Sequence, residues 1–188
     1  STWPGAIIAE ATEVDQFPIN HYQWLDSDGD WWGDNQVGDD ADACLYVYGN
    51  STADRYGCPD TDGDSYSDPT ANWGAVSSTG YCQADGLPLD PTQWCDRDGD
   101  GFGDNPDGVN GDQCPQISGS STEDRLGCLD TDFDGYSDPT NNFGASPNGL
   151  ADAFINDATQ WHDIDGDGYG DNSTGLNADL CPTTNPLY

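Results

Sequence analysis

The stretch "DIDGDGYGDN", residues 163–172, places Asp163, Asp165, Asp167 and Asp171 within nine positions, separated mainly by glycine. Carboxylates this close repel one another, so something must hold them together. The pattern recurs along the chain. "QWLDSDGDWWGDN" from Gln23 returns as "QWCDRDGDGFGDN" from Gln93 and "QWHDIDGDGYGDN" from Gln160. Between these, "GCPDTDGDSYSDPT" from Gly57 returns as "GCLDTDFDGYSDPT" from Gly127. The five loops begin at Asp26, Asp60, Asp96, Asp130 and Asp163, in steps of 34, 36, 34 and 33 residues. Two half-units alternate, which predicts a tandem array.

The register divides the 188 residues into an N-terminal segment 1–14 and repeat units 15–84, 85–151 and 152–188, the last one partial. Loops fall at 26–34 and 60–68, at 96–104 and 130–138, and at 163–171. Trp3 precedes Asp15 by 12 residues, as Trp73 precedes Asp85, so the register is expected to reach the N-terminus. Both ends interrupt the repeat, as expected for head-to-tail self-association or for neighbouring repeats of a longer chain.

Composition excludes an ordinary globular core. Leu, Ile, Val and Phe together number 26 of 188 residues, and the net charge is -33, values that ordinarily belong to disordered chains. Seven Trp and nine Tyr argue against disorder. Of the 36 acidic residues all but Glu10, Glu13 and Glu123 are Asp. Asp suits a tight turn, or an ion held by one, better than Glu does. Three basic residues, Arg55, Arg97 and Arg125, make nucleic acid an improbable partner, and no apolar run is long enough to span a membrane. Seven cysteines in so polar a chain predict an oxidising, extracellular or cell-surface setting and a mature secreted product or part of one. The sequons at Asn50 and Asn172 agree with secretion.

Each loop reads D-x-D-x-D-x-aromatic-x-D. Carboxylates stand at positions 1, 3, 5 and 9: Asp26, Asp28, Asp30 and Asp34; Asp60, Asp62, Asp64 and Asp68; Asp96, Asp98, Asp100 and Asp104. The same holds for Asp130, Asp132, Asp134 and Asp138, and for Asp163, Asp165, Asp167 and Asp171. With this Asp content roughly 0.2 such matches would arise by chance. Alternating Asp on a curled backbone aims three carboxylates at one point, and position 7 adds a carbonyl: Trp32, Tyr66, Phe102, Tyr136 or Tyr169. Many hard oxygen donors select Ca2+ over octahedral Mg2+ and over soft-ligand metals, giving several ions, at least one per loop.

These loops resemble the calcium loop of EF-hands, and their tandem layout with interleaved cysteines is similar to thrombospondin type 3 repeats. The layout also resembles Asp-rich "DGDG" arrays of secreted bacterial and archaeal surface proteins. The resemblance spans roughly Asp15 to Pro182. It implies a mostly irregular, calcium-stabilised, solenoid-like rod with few short strands, such as Cys44–Tyr48, and no large hydrophobic core. It also implies a stalk, spacer, adhesive or matrix role. Position 12, a bidentate Glu in EF-hands and usually Asp in type 3 repeats, holds Val37, Ala71, Asp107, Asn141 and Thr174 here. Carboxylates outside the loops must therefore complete each shell. Candidates are the residues six before each loop (Asn20, Asp54, Asp90, Asp124 and Asp157) and Asp42, Asp112 and Asp179, which follow a loop start by 16. Asp15, Asp85 and Asp152, eleven before a loop, come next. Sharing of carboxylates between ions would make the charge tolerable.

Spacings of 14 predict disulfides Cys44–Cys58 and Cys114–Cys128, with Cys82–Cys95 as the third; Cys181 is left over. Zinc is disfavoured because the spacing is wrong and only His21 and His162 are available. Trp24, Trp94 and Trp161 are either sugar-stacking platforms or, as favoured by their register, small cores against the position-7 rings. No nucleophile, base and orienting group assemble, so no enzyme is expected. The reading is an extracellular calcium-binding structural protein: a stalk, surface-layer or filament-forming subunit. Its alternative is a calcium-dependent adhesion or glycan-binding module.

Overall fold

In a computed structural model, residues 14–184 are described; Trp3, most of the 1–14 segment and the last four residues of unit 152–188 lie outside them. The chain forms two compact units, Ser1–Asp68 and Pro69–Tyr188. The first contains loops 26–34 and 60–68, the second the other three. Among the described residues there is no helix and no extended strand, only isolated bridges such as Gly33 with Ala41 and Gly103 with Gly111. An irregular fold was expected. The short strand over 44–48 is instead a turn, closed by the Val47 amide on the Cys44 carbonyl at 2.7 Å. Cys44 is tied twice, by its disulfide and by its amide's bond to Asp42 Oδ1, so the segment cannot extend.

The loops are built from one set of bonds. The position-1 carboxylate accepts the amides of positions 4 and 6: Gly99 and Gly101 bond Asp96 at 2.7 and 3.0 Å, and Gly166 and Gly168 bond Asp163 at 2.7 and 2.9 Å. The position-9 amide returns to the carbonyl before the loop, as Asp104 does to Cys95 at 2.7 Å. The position-9 carboxylate accepts the position-2 amide, as Asp138 does from Thr131 at 3.0 Å. Asp is needed at both places because a longer side chain would overshoot its own turn. The curl forces positive φ at positions 4 and 6. Glycine meets this at most of them, but Trp31, Ser65 and Phe133 occupy such seats at φ 79°, 88° and 66°. Each costs on the order of 1–3 kcal/mol.

Burial is polar. The buried apolar residues among those described are Cys58, Ala84, Cys95, Cys128 and Ala151, whereas Gln93, Gln160, Asp42, Asp85 and Asp152 are the largest fully buried side chains. Disulfides Cys44–Cys58, Cys82–Cys95 and Cys114–Cys128 join the expected partners, and Cys181 is free and exposed. Small ring clusters supplement them. Trp161 stacks on Tyr136 at 5.4 Å and Trp32 on Tyr56 at 4.7 Å. Trp24 is 57% exposed and forms no such core. Arg125 lies over the Phe143 ring at 4.2 Å, and Arg97, half-exposed, reaches Asp104 at 3.4 Å.

The glutamine of each "QW" motif has a role the sequence did not disclose. Gln93 accepts the Asn105 amide at 3.0 Å and donates to the Asn105 and Val109 carbonyls at 2.9 and 3.0 Å. Gln23 and Gln160 make the matching bonds to Asn35 and Asp39, and to Asn172 and Leu176. Each glutamine braces the chain leaving its loop. Gln93→Leu orphans three backbone groups and is expected to cost about 3 kcal/mol in urea unfolding at saturating calcium. A loss below about 0.5 kcal/mol would show the brace to be redundant.

Candidate metal centres

Within the nine-residue frame, three carboxylates converge. Oxygens of Asp26, Asp28 and Asp30 lie within 4.8 Å of one another, as do those of Asp60, Asp62 and Asp64, of Asp96, Asp98 and Asp100, and of Asp130, Asp132 and Asp134. Each triplet can hold a metal ion. In the last loop, Asp165 lies beside Asp167, and Asp171 beside Asp163. The position-5 carboxylate is aimed by the position-7 amide: Trp32 to Asp30, Tyr66 to Asp64, Phe102 to Asp100, Tyr136 to Asp134 and Tyr169 to Asp167, all at 2.8–3.0 Å. This bond spends one oxygen; the other is buried without a hydrogen-bond partner in Asp64 and Asp134 and accepts a further amide in Asp30 and Asp100.

At position 3, Asp62 Oδ1 accepts the Asp64 amide at 3.2 Å, but three other loops differ. Both oxygens of Asp28, Asp98 and Asp132 are buried and accept no hydrogen bond of proper geometry. Burial raises all three carboxyls above their ordinary range, and neighbouring Asp charges add to it. Buried carboxylate oxygens without partners are costly unless an ion or proton compensates them. The position-9 carboxylates act mainly as latches. Asp34, Asp68 and Asp138 bind both the amide and hydroxyl of Ser27, Thr61 and Thr131, whereas Asp171, facing Ile164, keeps a buried Oδ1 with no hydrogen bond.

A fourth carboxylate meets the triplet from outside. Asp42 closes loop 26–34: its amide donates to the Gly33 carbonyl at 2.9 Å, its Oδ1 accepts the Cys44 amide, and its fully buried Oδ2 accepts nothing. Asp112 repeats this at loop 96–104 through Gly103 and Cys114, and Asp179 at loop 163–171 through Gly170 and Cys181. Burial, reinforced by the loop carboxylates, pushes Asp42 and Asp112 up to about 6. Gly57 and Gly127 turn at φ 71° and 70° directly over the Asp42 and Asp112 carboxylates, where a methyl group would collide. Amides of Gly49 and Gly119, inside the disulfide loops, bond Asp30 Oδ2 and Asp100 Oδ2 at 3.1 and 2.9 Å.

Asp152 takes the equivalent seat on loop 130–138. Its amide donates to the Ser137 carbonyl at 3.0 Å, its Oδ1 accepts the Phe154 amide, and Asp134, Asp132 and Asp138 are its nearest charges. Sequence register counted it with the following loop; the structure attaches it to the preceding one. Asp152 is 1% exposed, and burial pushes it to about 7. Asp134 is raised to about 6 by burial first and by Asp132 and Asp130 next. Asp85, fully buried in the second unit, makes the matching Oδ1 bond to Leu87. Asp15 is exposed and accepts the Phe17 amide.

The residues six before each loop divide by half-unit. Asn20, Asp90 and Asp157 accept amides two residues on, from Tyr22, Thr92 and Thr159, as local turns. Asp54 and Asp124 grip the amide and hydroxyl of Ser67 and Ser137 at position 8 of their loops. The leading charges on each raised carboxyl come from its own loop and its closing or gripping residue, giving separate clusters.

Cys82, Cys95 and Asp104 also come together, but both sulfurs are committed to a disulfide. Asn50 is exposed, whereas the Asn172 side-chain amide is spent on the Thr159 carbonyl at 2.8 Å. Three disulfides suit an oxidising, extracellular setting, and among the described residues no helix is long and apolar enough to cross a membrane. Compared with models of known protein families and with curated protein sequences, the chain matches none.

Proposed function

We propose that the chain is an extracellular calcium-binding structural repeat protein, a stalk, surface-layer or filament-forming subunit ordered by several Ca2+ ions, at least one per loop. One observation carries the reading: the buried oxygens of Asp28, Asp98 and Asp132, which accept no hydrogen bond of proper geometry, lie beside closing carboxylates such as Asp42 and Asp112. All-oxygen donors on a flexible curl favour calcium, and the repetition builds length rather than one dedicated pocket. The closing carboxylates Asp42, Asp112, Asp152 and Asp179 lie outside their loops, so an ion held there also joins successive stretches of chain.

Calorimetric titration at pH 7 is expected to find at least five Ca2+ per chain, with dissociation constants of about 10^-4 to 10^-3 M and weaker binding of Mg2+. Fewer ions than loops, or preference for Mg2+, would overturn the assignment. Calcium-dependent self-association supports the structural role, read as filaments in electron micrographs that dissolve in chelator. A chain that stays monomeric at every calcium level would refute that role while leaving the metal sites in place.

A further inference from the structure

Trp31 occupies a seat that the loop does not need filled by an aromatic. Position 6 turns at positive φ in all five loops, and Gly101, Gly135 and Gly168 make that turn without strain. A bulky residue there is an outlier, and such outliers persist where the strained group has a use. The use is not packing. Trp31 is 78% exposed, while its neighbour Trp32 stacks on Tyr56. Nor does the metal cluster need the indole, since the Trp31 contribution to the loop is its backbone amide, bonded to Asp26 Oδ2 at 2.9 Å.

The surroundings define a ligand class. Trp31, Gln16, Asp26 and Gly29 line a hollow of about 290 Å³. A second hollow of about 410 Å³ shares Gln16 and Asp26 and adds Val14, Leu25 and Ser27. Gln16 is fixed at this rim because its Oε1 accepts the Asp26 amide. An exposed indole beside an amide and a carboxylate offers one apolar face and both kinds of hydrogen-bonding group. Few polar groups beside an aromatic wall are the recurrent composition of small-molecule clefts. The net charge of -33 repels sulfated sugars, uronates and anionic lipids. We infer that Trp31 is the platform of a glycan-binding site, taking the face of an uncharged sugar ring while Gln16 and the Asp26 rim receive its hydroxyl groups.

Trp31→Gly restores the residue that other loops carry at this position. The variant is expected to gain about 2–4 °C in thermal midpoint at saturating calcium and to keep the wild-type calcium stoichiometry. On an array of neutral glycans, the wild-type protein is expected to bind, with at least about a tenfold loss in the variant and partial retention in Trp31→Phe. The array and the calcium titration are read on the same samples, so failure of the glycan site is separable from failure of the metal sites. Absence of wild-type binding to any neutral glycan, or equal binding by Trp31→Gly, would overturn the inference. So would a variant that keeps glycan binding but loses self-association, since the indole would then be a contact between copies of the chain.

Discussion

Stripped of divalent ions at pH 7, the protein is expected to expand and become an open protease substrate. Nothing apolar stands in reserve: the buried apolar residues among those described are alanines and half-cystines. Without the ions, Asp28, Asp42, Asp98, Asp112 and Asp132 keep buried oxygens that accept no hydrogen bond of proper geometry, in a chain of net charge -33. Each such group costs more than a lost bond gains, and self-repulsion adds to it. The disulfides span 13 or 14 residues, too short to restrain the whole chain. Small-angle scattering should show the radius of gyration rising toward the roughly 46 Å of an unfolded chain of this length. A chelated sample as compact and protease-resistant as the untreated one would refute the metal-dependent fold.

Acidification separates this cause from simple fragility. In the ion-free protein, burial raises Asp152 to about 7 and Asp42, Asp112 and Asp134 to about 6, from an ordinary 3.8. The folded state therefore holds protons more tightly than the unfolded chain. That stabilisation is complete below about pH 4 and is lost as pH rises through 6 to 7. The chelated chain is expected to regain compactness toward pH 4, while the calcium-loaded protein releases ions over the same range because protons compete for the carboxylates.

Asp152→Asn is expected to act with opposite signs in the two states. With calcium, the variant loses the carboxylate that closes loop 130–138, and affinity at one site falls about 10- to 100-fold. Without calcium, it removes a buried charge that Asp134, Asp132 and Asp138 oppose, so the ion-free form becomes more stable. Calcium titration and chelated-state unfolding read the two effects separately. Loss of an ion from loop 163–171 instead would contradict the attachment of Asp152 to the preceding loop.

Much of this was legible in the sequence. Spacing located the five loops, and cysteine intervals of 14 and 13 paired six of the seven cysteines as the structure does. Composition excluded an apolar core, and burial is indeed dominated by Asp, Gln and Ser. These features are local or compositional, and a short loop with Asp at positions 1, 5 and 9 closes largely on its own backbone.

Partnership across the chain was decided only by tertiary structure. Asp42 follows Gly33 by nine residues and Asp152 follows Ser137 by fifteen, yet both amides bind the position-8 carbonyl of a loop. Register alone cannot distinguish these from Asp90 or Asp157, which recur just as regularly and close turns of their own. The same holds for the buried glutamines, whose three bonds reach 12 and 16 residues along the chain. A repeat records that a residue has a fixed job. Which oxygen it meets depends on how turns and disulfides fold the intervening chain back, because a carboxylate is drawn to whatever donor or ion that path brings within bonding distance.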